Sequence, residues 1–148
     1  MASTIDSSTL EIRISEEITI NGKKKGSFSV QKISGINEIS ERIITALTTG
    51  TDVIALGAAA GAGTFIRSDV KYVRIKNLDN TNFVRLAIRT DGTDVHLKLP
   101  AFSNFVIYNG SAASSELDNN TVAFDNITSI KAWADTASVD LGLFVASV

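Results

Sequence analysis

The sequence predicts an all-β chain, an antiparallel β-sandwich of the jelly-roll type. Three observations carry this reading. Apolar and polar residues alternate with period two along most of the chain. Short apolar runs, nine or ten of them, recur at roughly ten-residue spacing. Turn-forming residues stand between the runs, as Asn-Gly and Asp-Gly do at Asn21-Gly22 and Asp91-Gly92. With 148 residues and no composition break, the chain 1–148 reads as a single domain. A domain of this size removes roughly two-thirds of its unfolded surface from water, so it can fold without disulfide or metal staples.

In chain order, Met1–Thr9 is polar and reads as an N-terminal arm able to grip a neighbour. Leu10, Ile12 and Ile14 alternate with Glu11 and Arg13, and Ile18 and Ile20 resume the pattern, as a strand with one buried face requires. The turn Asn21–Gly26 joins it to Ser27–Ile33 in a hairpin. Ile36–Leu47 fits both a helical stripe and a strand; its β-branched Ile43, Ile44 and Thr45 favour the strand. Asp52–Leu56, Val70–Leu78, Phe83–Thr90, Asp94–Leu99 and Asn104–Tyr108 follow as strands. Asn109–Asn120, rich in Ser, Asn and Gly, reads as a long loop. Val122 and Phe124, Ile127–Ala134, and the series Val139, Leu141, Leu143 and Val145 complete the set.

Composition excludes several kinds of chemistry. The chain has no cysteine, so it offers no thiolate nucleophile or zinc-thiolate site. No basic and apolar leader opens it, and its longest uncharged apolar run, Val53–Ile66, is broken by Gly57, Gly61 and Gly63. That run falls short of the ~20 residues of a spanning helix, so a soluble protein made in the cytoplasm, with no membrane partner, is expected. Gly57–Gly63 lacks the Gly-Lys-Ser/Thr of a phosphate loop and the third glycine of a dinucleotide fingerprint, and reads as a connector. His96, the one histidine, has Asp94 two residues away but no nucleophile in register, and reads as a solvent-facing strand residue. The acids around Gly92 and around Asn119 and Asn120 lack the alternating pattern of a calcium loop. No catalytic residue, cofactor or metal site is expected, and the chain reads as no enzyme.

One charge pattern points to a partner. Arg67, Lys71, Arg74, Lys76, Arg85, Arg89 and Lys98 supply seven of the fourteen basic residues within 32 positions, against four acids there. Alternation places Arg74 and Lys76 on one outward face, with Arg85 and Arg89 expected across a hairpin on the same face. Opposed like charges are destabilising, so an acidic protein partner would explain such a stripe. Nucleic acid fits less well, because the net charge is −2 and aromatics are 7%. Phe83, Phe102, Phe105 and Phe124 lie in strand-like apolar patterns suited to core packing, and Trp133 reads as core too. The rival use of Trp133, with Tyr108 or Tyr72, is the platform of a jelly-roll carbohydrate-binding module.

The stretch Ile66–Leu86, then Lys98–Phe102 and Ile130–Leu141, resembles small virion structural proteins of tailed bacteriophages, notably those infecting marine cyanobacteria. The likeness is good from Val70 to Val148 and looser before it. Where those proteins tend to carry glycine after the turn, this chain has Ala101-Phe102. The resemblance implies a non-enzymatic component located in the virion: a capsid decoration or cement protein whose partner is the major capsid protein or another virion protein. It implies a homo-oligomer, with a trimer favoured for sites of local three-fold symmetry. A tail, fibre or head-tail connector subunit is the structural alternative. No active-site residue transfers.

Overall fold

The computed structural model describes residues 6–108 and 126–148, and every regular element among them is a strand. In chain order these are β1 (Ser8–Ile20), β2 (Lys23–Ile36), β3 (Glu38–Ala46), β4 (Thr51–Gly57), β5 (Thr64–Ile66) and β6 (Val70–Asn77). β7 (Val84–Thr90), β8 (Val95–Leu99), β9 (Asn104–Tyr108), β10 (Ile127–Ala134) and β11 (Val139–Ser147) follow. The expected loop Asn109–Asn120, the strand residues Val122 and Phe124, and most of the expected arm Met1–Thr9 lie outside the described residues; Ser8 and Thr9 already belong to β1.

The described residues form three sheets: the ribbon β1-β2, a five-stranded sheet in the order β5-β4-β10-β7-β8, and a four-stranded sheet in the order β3-β11-β6-β9. The two larger sheets share one apolar core. Val53, Ile54, Val84, Leu86, Ile130 and Ala132 come from the first, and Val73, Ile75, Leu141, Leu143 and Val145 from the second. Alternation explains the division. Each strand sends every second side chain inward, so β11 buries Val139, Leu141, Leu143 and Val145. At about 25 cal/mol per Å² of apolar area, each such side chain contributes roughly 1.5 to 3 kcal/mol.

Strands far apart in sequence pair from the outside inward. β3 pairs with β11, β4 with β10, β6 with β9, and β7 with β8, all antiparallel, alternating between the two sheets. β11 also pairs with β6, and β10 with β7, which joins the pairs into two open sheets. Among the described residues the one parallel pair is β4 with β5, so the five-stranded sheet is mixed instead of purely antiparallel. It is reached through Gly57–Gly63, where a backbone bridge between Gly61 and Thr64 and a positive φ at Gly63 reverse the chain. The connector reading of this segment holds, and it leads into a strand.

The segment with two sequence readings is strand and not helix: β2 runs to Ile36 and β3 covers Glu38–Ala46. The first hairpin differs from expectation in its turn. Asn21 and Gly22, at φ 50° and 74°, form a two-residue connection, and Lys23–Gly26 belong to β2. Positive φ at both positions gives the primed turn whose twist suits a hairpin, so the longer loop is unnecessary.

Among buried polar groups, Asn77 is fully satisfied. Its amide donates to the carbonyls of Asn82 (2.9 Å) and Leu99 (3.2 Å), and its oxygen accepts the Asp79 N–H (2.9 Å). It thereby ties the β6-β7 turn to the end of β8 across the two sheets.

Candidate interaction surfaces

The ribbon β1-β2 is the most exposed part of the described molecule. Its base packs on the outer face of the four-stranded sheet, where Leu10, Ile12, Ile33 and Ile36 meet Tyr72, Phe144 and Ala146 in a second small core. Beyond that base, every residue from Arg13 to Lys32 is exposed. This corrects the expectation of a half-buried strand: Ile14, Ile18 and Ile20 lie open on one face, Ile18 at 55%, with Phe28 at 66% and Val30 on the other. At ~3.3 Å per residue the uncovered part reaches roughly 25 Å past the base.

The ribbon is also basic at its tip. Ile18 stands directly across from Lys25, and Ile20 from Lys23, so both lysines share the isoleucine face. Lys24 pairs with Glu17 at 3.1 Å on the other face. Ser27 donates to Glu16 at 2.7 Å across the strands.

The outer face of the four-stranded sheet is the second surface. Register places Ile39, Ala146, Tyr72 and Tyr108 in one row across it, and Glu41, Phe144, Arg74 and Val106 in the next. The ribbon base covers the middle. On the edge strand β3, Ile39 and Ile43 remain 60% and 68% exposed, with Glu41 between them, and Asp140 accepts a hydrogen bond from Thr45 at 2.7 Å.

The third surface is the outer face of the five-stranded sheet, which is cationic and aromatic. Arg85 lies over the Trp133 ring at 4.6 Å, Lys131 lies at 5.2 Å from the same ring, and Lys98 sits over Phe83 at 4.1 Å. Arg85 and Lys98 are cross-strand partners, and each turns its charge onto a ring instead of towards the other.

The predicted basic stripe is therefore not one surface. Arg74 and Lys76 lie on β6 in the four-stranded sheet, while Arg85 and Arg89 lie on β7 in the other. The chain between β6 and β7 crosses from sheet to sheet, so outward residues of the two strands face opposite ways. The sequence showed alternation along each strand and carried no signal of the crossing. Arg74 stacks at 5.3 Å from the Phe144 ring, and Arg89 has an acid of its own chain, Asp94, at 3.2 Å. Lys76 is exposed.

Trp133 also departs from expectation. Ile130, Ala132 and Ala134 take the inward positions of β10, so Trp133 faces outward and is half-buried by the cations beside it. Tyr72 and Tyr108 belong to the other sheet, so the sugar platform considered for these residues is not assembled. Of the phenylalanines, Phe105 packs against the core, Phe83 is half-buried, and Phe102 is 62% exposed at φ 58°; Phe124 lies outside the described residues. His96 is exposed, and Asp94 turns to Arg89.

Two clefts of about 300 and 400 Å³ adjoin along the side where β3, β4 and β5 meet. Arg42 lines both and bridges the sheets by donating to the Val53 carbonyl at 3.3 Å. Comparison with protein-family models, with curated proteins and with solved structures finds no match in any of the three.

Proposed function

We propose that this chain is a non-enzymatic virion structural protein of a tailed bacteriophage, in particular a capsid decoration or cement protein. The observation that carries the reading is the ribbon Arg13–Lys32, exposed throughout with five large apolar side chains uncovered. A two-stranded hairpin is marginal alone in water, and uncovered apolar surface on it marks a place for another protein. The period-two alternation of β1 supports the same conclusion. It is the pattern of a strand with one buried face, and its own chain leaves that face open.

The strand order supports the finer fold reading. With β1, β2 and β5 set aside, eight strands pair first with eighth, second with seventh, third with sixth and fourth with fifth, alternately in two sheets. A jelly-roll sandwich is wound this way, and viral capsid proteins and lectins both use that architecture. The resemblance of Val70–Val148 to small phage virion proteins favours the first of these. Arg85 over the Trp133 ring weighs against the second, because it occupies a ring face on which a sugar would stack.

A decoration protein acts by mass action. It binds the assembled shell at subunit junctions, not the free subunit, and so lowers the free energy of the shell alone. Mass spectrometry of purified particles of the source phage tests the assignment. A copy number equal to that of the major capsid protein, or a fixed simple fraction of it, is expected. A count at least ten-fold lower would instead make the chain a tail, fibre or connector subunit, and absence from the particle would overturn the virion reading.

A further inference from the structure

We infer that the ribbon β1-β2 of one copy docks its isoleucine face on the outer face of β3 in a second copy of this chain. The inference rests on the reading of the chain as an assembly subunit and names the contact through which it assembles.

The ribbon already makes a contact of this kind within its own chain. Leu10 and Ile12 lie on one face of β1 and pack on the outer face of the four-stranded sheet. Ile14, Ile18 and Ile20 continue the same face outward, two-residue step by two-residue step, beyond the part that packs on their own sheet. The surface chemistry suited to them is another copy of the surface that receives the base. On β3, next to the row the base covers, Ile39 and Ile43 stand exposed on that outer face.

Charge selects this strand over the β6 side of the same face. The docking face carries Lys23 and Lys25 beside Ile20 and Ile18 at the tip, with one acid, Glu16, further back and hydrogen-bonded by Ser27, and β3 offers Glu41 between its two isoleucines with Asp140 nearby on β11. Towards β6 the same sheet carries Arg74 and Lys76, which would oppose the lysines. Apolar residues thus meet apolar ones, and basic residues meet acidic ones, only when the tip lies over β3.

The size of the contact sets its form. From Ile14 to Ile20 one ribbon face measures about 23 Å by about 10 Å, on the order of 230 Å², against ~800 Å² per partner for a standard interface. A single docking is therefore weak. Ribbon and β3 are different patches, so the contact is heterologous and gains strength when each copy gives one ribbon and receives one in a closed assembly.

Because the chain lacks cysteine, single introduced cysteines report the contact directly. Chains carrying Ile18→Cys are mixed with chains carrying Ile43→Cys under mild oxidation, and a covalent heterodimer is expected in the mixture but not with either variant alone. Sedimentation equilibrium up to about 1 mM, the range in which weak contacts populate, is expected to show oligomers of the unmodified chain. Ile18→Lys and Ile43→Lys should each abolish them, with unchanged Trp133 fluorescence showing that the body is folded. Absence of the heterodimer, dimers of Ile18→Cys alone, or oligomers that survive Ile43→Lys would each overturn the contact. A chain found at capsid stoichiometry in particles but monomeric at 1 mM would overturn this contact and leave the decoration reading standing.

Discussion

Gly50 has φ +101°, and a Cβ there would lie 2.6 Å from the Trp133 indole nitrogen and 2.9 Å from Lys131 Cε. The bare backbone is what leaves room for the indole and the Lys131 stem at this end of the five-stranded sheet. Gly50→Ala combines left-handed strain with displacement of Trp133, and a loss of about 1 to 3 kcal/mol is expected. Urea denaturation followed by tryptophan fluorescence measures both effects, because Trp133 is the one tryptophan in the chain. Asp79 governs a neighbouring turn through a different force. Its carboxylate accepts the N–H groups of Asn82 (2.6 Å) and Thr81 (2.7 Å), which hold its pKa below the usual carboxylate value. A folded-state pKa below the unfolded one gives stability that is present above the unfolded pKa and lost as pH falls through the folded pKa. The unfolding midpoint of Asp79→Ala is accordingly expected to fall less steeply with acidification than that of the parent chain. Equal slopes would show that the turn does not couple to folding.

Among the elements, β11 and the ribbon stand at opposite extremes. β11 is central, paired with β3 on one side and β6 on the other, and five of its residues are among the most buried in the molecule. Deleting Ala137–Val148 removes four inward apolar side chains and two ladders of hydrogen bonds, and is expected to leave no cooperatively folded product. A soluble truncation with a sharp thermal transition would contradict this. The ribbon can be unmade without touching the core. Gly26 faces Glu17, and a Cβ there would run into the Glu16 carbonyl, so Gly26→Val is expected to break pairing in the outer ribbon. Amide exchange should quicken from Arg13 to Lys32 while protection in β6 and β11 stays unchanged. The individual strands were legible because each buries one face and writes period two into the sequence; β6 falls where Val73 and Ile75 alternate with Arg74 and Lys76, and β8 where Leu97 and Leu99 alternate with His96 and Lys98. Which strands share a sheet was not legible. The crossing between β6 and β7 leaves no mark in either strand, so Arg74 and Arg85 read as neighbours although they face opposite ways. The uncovered face of β1 was unreadable for a related reason, since alternation records that a face is buried but not whether its cover belongs to the same chain.

At the scale of the whole molecule, a body with one shared core carries a basic, apolar arm along one outer face and a cationic aromatic surface on the other. Under the function proposed above, the two outer faces divide the labour of an assembly subunit: the arm and β3 are proposed to join copies to one another, and the opposite face, with Arg85, Lys98, Lys131 and Arg89, is left for a different partner. The most direct test of the proposed function is co-sedimentation of the purified chain with phage shells from its source stripped of it, set beside the free major capsid protein, together with the temperature at which those particles release their genome. Saturable binding to shells, none to free subunits, and a higher release temperature on binding are the predicted results. Equal binding to free subunits, or no binding to shells at all, would contradict the account.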